Sequence, residues 1–530
     1  MNFCRRPLGY SRRFQWPCLF LGLSRRSLGY SRRARWFSIG LSLLFCGSPS
    51  LSARDYDITA YGAKSDTTVL CTAVLQRCID LCSAAGGGRV VIPAGQYKTG
   101  TIVLRSNVHL HLALGATLNG STDLKDYRRM QSSYKSLRTH TPTIQLVYAD
   151  SVENVVIDGY GTIDGQGRVF PKLSWNDEGI TRPHLLRFIQ SRNITVKDIT
   201  LRNSGCWMQH YLACDRLHIS GIRVTNRNNY NNDALDLDGC HDVIVSDILA
   251  DSDDDGITLK STSPRLCENV TIQNCIVSSH CNAVKLGTET NGGFRNITIR
   301  GIAIKPSTDQ REKFFGQWIG TSALSLEIVD GGTMENVSVS DLTVEGTESP
   351  IFVRLGHRGR GWTFNKSGAD AFVAQSVSGG NEGATRSQKP DSIETVGQMR
   401  GITINNVRVR NAGRYGCSIT GLPDLPVEDV HVSNVSIHHS GGITDAELPK
   451  IAAALRDEKA AEYPEATMWG PLPAKGFFVR HARGVRFDAV DIQTTAPDAR
   501  PEIVKEDDGE DQSSDGENQS SGGENQSSAE

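Results

Sequence analysis

Three stretches of this chain look alike and recur at nearly constant spacing: NNDALD at residues 231–236, DDGITLK at 254–260 and NAVKLG at 282–287. Asp233 and Asp255 are 22 residues apart, and Asp255 and Asn282 are 27 apart. These distances match one coil of a solenoid, whose repeats run to roughly 20–29 residues. The spacing therefore predicts that the three stretches stack, which would crowd the carboxylates of Asp233, Asp254 and Asp255 on one exposed strip.

A shorter motif recurs along the chain, in which Asn, Asp or Gly precedes alternating apolar and polar residues. Examples are NITV at 193–196, DVIV at 242–245, NVTI at 269–272, NITI at 296–299, NVSV at 336–339 and GITI at 401–404. Alternation at period two indicates strands, and the residue before each run indicates a turn. Short strands at coil-length spacing, without long helices between them, predict an all-β fold, a right-handed parallel β-helix.

Other segments predict the ends and insertions of this solenoid. Apolar residues at helical spacing over 68–85 predict a short N-terminal helix that caps the open end of the sheet. A second helix is predicted over 446–463. The long steps from Asn296 to Asn336 and from Asn336 to Gly401 indicate inserted loops, which usually decorate the binding face of a solenoid. The longest loop, 356–400, is expected to wall the cleft and restrict it to chain ends.

Three segments are predicted along the chain. Residues 1–53 run from basic to apolar to small residues, which is the order of a secretory signal. Residues 54–504 form the β-helix domain, and residues 505–530 are an acidic, Ser-rich tail that is expected to be disordered. The protein is therefore expected to be exported, to the periplasm, the extracellular space or the cell surface. The apolar run at 36–46 is too short to span a bilayer, so no stable membrane insertion is expected after processing.

Charge and cysteine usage exclude some function classes. The formal net charge is -2, from 57 basic and 59 acidic residues, so no global field would attract nucleic acid or an anionic membrane. The 13 cysteines are not spaced like a zinc cluster, and buried free thiols are expected instead. We expect no metal, no cofactor and a monomer.

Crowded carboxylates on a rigid face are what acid/base hydrolysis of a glycosidic bond requires. Further segments carry a family resemblance: AYGAKSD at 60–66, GGGRVVIPAG at 86–95 and NSGCW at 203–207. With these and the aspartate motifs, the chain resembles the polygalacturonase family, glycoside hydrolase family 28, over about residues 56–492, as a divergent member. The resemblance implies a hydrolase that cleaves an acidic, pectin-like polysaccharide or oligosaccharide containing galacturonate.

The resemblance also implies catalytic roles. The Asn-Thr-Asp motif of the family corresponds to residues 231–233, and its Asp-Asp pair to Asp254 and Asp255. In the inverting mechanism of the family, Asp254 would be the general acid, and Asp233 with Asp255 would be the base. Inversion needs acid and base about 6.5–9.5 Å apart, with room for a water molecule. The alternative is structural, because Asp and Asn line β-helix turns for hydrogen bonding alone.

The substrate-binding pattern of the family is broken in two places. The family has Gly-His-Gly before a strand, and here either His280 or Asn282 would take the place of the histidine, or His280 is a turn residue. Where the family has Arg-Ile-Lys to grip the substrate carboxylate, this chain has Ser325-Leu326-Glu327.

Cations are predicted in two outward columns of the stacked strands. The first column holds Thr258, Lys285, Ser325 and Arg354, and the next holds Lys260, Gly287 and Glu327. A cation opposite the aspartates can bind a sugar carboxylate or sulfate. Alternatively, Lys260 and Lys285 only offset the neighbouring aspartates.

Two other functions stay open from the sequence. One is a β-helix polysaccharide lyase or epimerase that acts on uronic acids, which would need a base at C5 and cations over the carboxylate. The other is a non-catalytic carbohydrate-binding β-helix.

Overall fold

The computed structural model describes residues 54–173, 177–307, 319–360 and 396–506. The predicted signal segment, most of the predicted tail and most of the 356–400 loop lie outside these residues.

The described chain winds into short strands, which, apart from β7, pair in parallel with the strand one coil away. The strands are β1 (Asp55–Asp57), β2 (Gly88–Ile92), β3 (Gly95–Thr99), β4 (Ile102–Val103), β5 (Val108–Leu112), β6 (Ala116–Gly120), β7 (Arg129–Met130), β8 (Thr143–Asp150), β9 (Glu153–Asp158), β10 (Thr162–Asp164), β11 (His184–Ile189), β12 (Arg192–Lys197), β13 (Thr200–Arg202), β14 (Gln209–Leu212), β15 (Asp215–Ser220), β16 (Arg223–Asn226), β17 (Leu235–Asp238), β18 (His241–Ser246), β19 (Leu249–Ser252), β20 (Ile257–Ser261), β21 (Cys267–Gln273), β22 (Ile276–Ser279), β23 (Asn282–Thr290), β24 (Gly293–Ile304), β25 (Gly320–Ile328), β26 (Thr333–Glu345), β27 (Thr347–Leu355), β28 (Gln398–Ala412), β29 (Cys417–Thr420), β30 (Val427–Gly441), β31 (Phe477–Arg480), β32 (Ala482–Arg483), β33 (Arg486–Ala496) and β34 (Ile503–Glu506). The predicted right-handed parallel β-helix is confirmed.

Two sheets form the walls. Sheet 1 has 13 strands and runs from β4 through β8, β11, β14, β17, β20, β23, β25, β27, β29 and β31 to β34, with β7 antiparallel to β8. Sheet 2 contains the other 21 strands. Strand β34 includes Lys505 and Glu506, the first two residues of the predicted tail.

Aliphatic ladders fill the space between the walls. One ladder in sheet 2 stacks Val243, Val270, Ile297, Val337 and Ile402 in register on five successive coils. All five are buried, and each such side chain contributes about 1.5–3 kcal/mol of transfer free energy. The polar residues between them face outward, which is the alternation that predicted the strands.

The turn residues before these strands also stack. Asn269, Asn296 and Asn336 each have φ of 56°, in the left-handed region that Asn tolerates better than most residues. The Asn296 amide donates to Asn269 at 3.0 Å, and the Asn336 amide donates to Asn296 at 2.8 Å. The Asn at the start of the repeated motif therefore serves both backbone geometry and coil-to-coil hydrogen bonding.

Helix α1 (Thr72–Ala84) packs on the first strands and confirms the predicted cap. The second predicted helix, 446–463, was wrong in its length, because α2 spans only Leu448–Ala454. The carbonyl groups of Asp457 and Glu458 accept from the Trp469 indole and the Arg354 guanidinium instead of from a further helical turn. No described helix is long and apolar enough to cross a membrane.

The ten cysteines of the described residues are buried and free, as predicted.

Candidate active site

The three repeated stretches do stack, on strands β17, β20 and β23 of sheet 1. Asp236 lies beside Thr258, and Thr258 lies beside Lys285 in the next coil. Because the strands are in register, the turns that precede them are also superposed. Asp233, Asp254 and Asp255 lie in two of these adjacent turns.

Asp255 is held by charge and hydrogen bonds from the following coil. Its Oδ1 accepts from the backbone N of Asn282 at 3.2 Å and from the Asn282 amide at 2.8 Å. Its Oδ2 lies 3.2 Å from the Lys285 ammonium. All three residues are buried, and Asn282 and Lys285 together fix the orientation of the Asp255 carboxylate.

Asp254 is half-buried at the rim of the same turn. Its Oδ1 accepts from the Asp255 backbone N at 2.9 Å, and its carbonyl oxygen accepts from the hydroxyls of Ser252 and Ser279 at 3.0 and 2.6 Å. Burial, followed by the charge of Asp255, raises the pKa of Asp254 to about 7. The Asp254 carboxyl is thus positioned to hold a proton near neutral pH.

Asp233 is buried one coil earlier. Its backbone carbonyl accepts from the Asn226 amide at 3.0 Å, and the side-chain amide of Asn232 is bonded to the carbonyl of Cys206 at 3.0 Å. The Lys260 ammonium lies 3.7 Å from Asp233 Oδ2, whereas Oδ1 has no hydrogen-bond partner among the described residues. Burial, followed by the charge of Asp236, raises the pKa of Asp233 well above its usual value.

The Lys260 ammonium lies close to two acidic residues besides Asp233, namely Asp236 and Glu289. This ammonium lies 3.4 Å from Asp236 Oδ1, 3.9 Å from Glu289 Oε2 and 4.8 Å from the centre of the Trp207 ring. Glu289 is also paired with Arg138. No role was predicted from the sequence for Asp236, Glu289 or Arg138. Asp236 does lie in the NNDALD stretch at 231–236, and Trp207 lies in the NSGCW segment at 203–207.

Lys285 is contacted by Tyr463, a residue from the C-terminal part of the chain. The Tyr463 hydroxyl is bonded to the Lys285 ammonium at 3.2 Å and to the Thr288 hydroxyl at 3.0 Å. Burial raises the pKa of the nearby Glu465 to about 7. Tyr463 lies beyond α2, more than 170 residues from Lys285, so no periodic signal in the sequence indicated this contact.

The predicted outward column of Thr258, Lys285 and Ser325 is present, but its next member is Phe352. The placement of Arg354 in this column was wrong, because Arg354 pairs with Glu327 in the neighbouring column. The Arg354 guanidinium donates to the carbonyls of Gly421 and Glu458 and lies 5.0 Å from the centre of the Trp469 ring. Arg354 therefore binds the protein itself.

The two candidates for the histidine position are separated by their contacts. Asn282 contacts Asp255 directly, whereas Nδ1 of His280 lies 3.5 Å from Oδ1 of Asp253. Both side chains are buried. Asn282 is therefore the candidate that contacts the aspartate triad, while His280 faces the preceding acidic residue.

Ligand atoms of Asp254, Asp255 and Cys281 lie within 4.8 Å of one another. Burial raises the pKa of the Cys281 thiol well above its usual value, and a protonated thiol is a poor metal ligand. That the site works without a metal or cofactor stays a prediction.

Comparison with known proteins gives a consistent picture. The family model Glycosyl hydrolases family 28 matches residues 82–355, which contain all three stacked stretches. A probable polygalacturonase of Vitis vinifera is 24% identical over 412 residues, or 73% of this chain and 75% of the relative. An exo-poly-alpha-D-galacturonosidase of Dickeya chrysanthemi is 24% identical over 329 residues, or 52% of this chain and 53% of the relative. The crystal structure of a hyperthermoactive exopolygalacturonase from Thermotoga maritima superposes with a TM-score of 0.57 at 21% identity, over 73% of this chain and 87% of that chain.

Proposed function

The chain belongs to glycosyl hydrolases family 28, and we propose that it is an exported inverting hydrolase that cleaves galacturonate-containing polysaccharide or oligosaccharide. The observation that carries the mechanism is the unequal treatment of two adjacent carboxyl groups. Asp254 is placed to keep its proton, whereas Asp255 is held by Lys285 and the Asn282 amide. A neutral acid beside a supported carboxylate is the pairing that glycoside hydrolysis uses.

In the proposed reaction, Asp254 donates its proton to the glycosidic oxygen as the bond to the anomeric carbon breaks. Asp255, together with Asp233, accepts a proton from a water molecule that attacks the opposite face of that carbon. The reaction is a single displacement in which water enters on the face opposite to the leaving oxygen, so the configuration at the anomeric carbon inverts. Asp255 has two partners that hold it in place, whereas Asp233 lies in an environment that favours its protonated form. Oxygen atoms of Asp254 and Asp255 lie within 4.8 Å of each other, closer than the about 6.5–9.5 Å usual for an inverting pair, so the inverting assignment rests on the family relation and not on this spacing.

The substrate class rests on the relatives, whose names state activity on polygalacturonate. The matched region contains the whole aspartate triad. A lyase or epimerase is less consistent with the names of the relatives, and its chemistry would need a base at C5 with cations over the sugar carboxylate. Export is part of the proposal and rests on the predicted signal, and a monomeric state stays an expectation.

The test is to incubate the purified protein with polygalacturonate and with the same polymer after reduction of its carboxyl groups. We expect new reducing ends from polygalacturonate only, and the product sizes will distinguish release of monomers from internal cleavage. Unsaturated products would identify a lyase and contradict the proposal. Binding without any product would identify the non-catalytic alternative.

A further inference from the structure

A second cluster of reactive side chains lies outside the aspartate site, on the outer face of sheet 2. Strand β5 alternates buried Val108, Leu110 and Leu112 with His109 and His111, so both imidazoles point outward on the same side. Strand β9 is the neighbour of β5 in the next coil, and Asp158 at its end lies directly beside His111.

The three side chains converge on one point. Nε2 of His109 and Nδ1 of His111 each lie 2.7 Å from the same carboxylate oxygen, Oδ1 of Asp158. The two imidazole rings are perpendicular, with centres 5.7 Å apart. Each side chain is 16–30% exposed, so a small solute can reach the cluster while the coil backbone fixes it.

Neighbouring residues make room for this arrangement. Gly159 has φ of 115°, and a Cβ at this position would lie 2.8 Å from the His111 ring. The adjacent cation, Arg89, is already neutralised by Asp55 through two hydrogen bonds of 2.9 and 2.6 Å. The absence of a side chain at Gly159 therefore lets the His111 ring pack against the backbone next to Asp158, and the adjacent guanidinium has its own counter-charge.

Two imidazole nitrogens and one carboxylate oxygen are a ligand set for zinc and similar late transition metals. In such sites each ligand lies about 2.0–2.2 Å from the ion, and three protein ligands leave a fourth position for water. The ligand atoms here already lie within 4.8 Å of one another, which is close enough for one ion to contact all three. Two histidines that only hydrogen bond to an aspartate are the competing explanation.

We propose that His109, His111 and Asp158 form a binding site for a divalent transition metal of the zinc class. Because the ligands come from β5 and β9, the bound ion would tie two successive coils together near the N-terminal end of the β-helix. The catalytic candidates lie at β17 and β20 of the other sheet. The proposed site is therefore independent of the hydrolase proposal.

The test uses the full chain, treated with a chelator and then dialysed. Zinc sulfate is titrated by calorimetry into the wild type, His111→Ala, Asp158→Asn and the control His218→Ala, which removes an exposed histidine of sheet 2 that lies outside the cluster. We expect one equivalent of zinc to bind the wild type and the control, and to bind the two ligand variants at least about tenfold more weakly. Zinc held at the carboxylates of the catalytic cleft would persist in all four proteins and is thus distinguished.

A second measurement keeps the proposal testable if a variant is less stable. Zinc is expected to raise the Tm of the wild type and of His218→Ala, because a ligand that binds only the folded state stabilises it, and not to raise the Tm of His111→Ala or Asp158→Asn. Circular dichroism confirms that each variant is folded. Equal zinc affinity and equal Tm shifts in all four proteins, or no zinc binding by the wild type, would overturn the proposal.

Discussion

Replacing Asp254 by Asn should remove the proton donor of the reaction while it preserves the shape of the side chain. An unperturbed Asp has a pKa of about 3.9 and would be protonated in only about one molecule in a thousand at pH 7. Burial, followed by the charge of Asp255, raises the pKa of Asp254 to about 7, so roughly half of the molecules hold the proton at that pH. The raised pKa of Asp254 therefore makes this residue a proton donor at neutral pH, and the Asn variant has no such proton.

The size of the effect follows from the role of the proton. General acid catalysis contributes about 10²–10⁴-fold, which corresponds to about 3–5 kcal/mol in the activation barrier. We expect kcat on polygalacturonate to fall by that factor in Asp254→Asn. The fall in activity of the wild type as the pH rises through about 7 should also disappear, because the variant has no proton to lose.

The assay compares two substrates and one control. A galacturonide with an activated aryl leaving group needs no proton from the enzyme, so Asp254→Asn should lose much less activity on it than on the polymer. The control is Asp247→Asn, the same substitution at an exposed turn residue with φ of 57°, which Asn also tolerates. Wild-type activity in Asp254→Asn, or an equal loss on both substrates, would refute the role of Asp254 as the general acid.

Three further predictions concern the surroundings of the triad. Lys285→Met leaves the buried Asp255 without its counter-charge, so we expect about 3–5 kcal/mol lower stability by urea unfolding as well as lost activity, whereas the exposed Lys305→Met should change neither. Burial raises the pKa of Asp236 to about 7, so the folded state binds this proton more tightly than the unfolded state. The resulting stabilisation is present below about pH 4 and is lost as the pH rises through about 7. Asp236→Asn should therefore reduce the fall of the urea midpoint between pH 5 and pH 8, and an unchanged dependence of the midpoint on pH would contradict this. Asn296→Leu breaks two ladder hydrogen bonds and places a bulky residue at φ of 56°, so it should lower the unfolding free energy by about 1–3 kcal/mol, and Asn296→Gly should cost less because Gly adopts that backbone conformation freely.

The coil repeat explains what could be predicted from the sequence. Spacings of 22 and 27 residues placed the turns of Asp233, Asp254 and Asp255 in adjacent coils, and the structure stacks them. Alternation of apolar and polar residues predicted the strands because each strand has one face in the core and one outside.

The parts that were missed depend on contacts without a period. Arg354 was placed in the wrong column because the pairing of β25 with β27 sets a register that the sequence spacing did not reveal. Tyr463 reaches Lys285 from a segment beyond α2, and Arg138 reaches Glu289 across 151 residues. Such partners meet only because the coils superpose distant segments, so no local pattern indicates them.

The most direct test of the account is the configuration of the sugar that is released first. Hydrolysis of α-linked polygalacturonate, followed by proton NMR in the first minutes before the anomers equilibrate, should show the β-anomer at the new reducing end, because water attacks the face opposite to the bond that Asp254 protonates. Initial appearance of the α-anomer would show retention and would contradict the assigned roles of Asp233, Asp254 and Asp255.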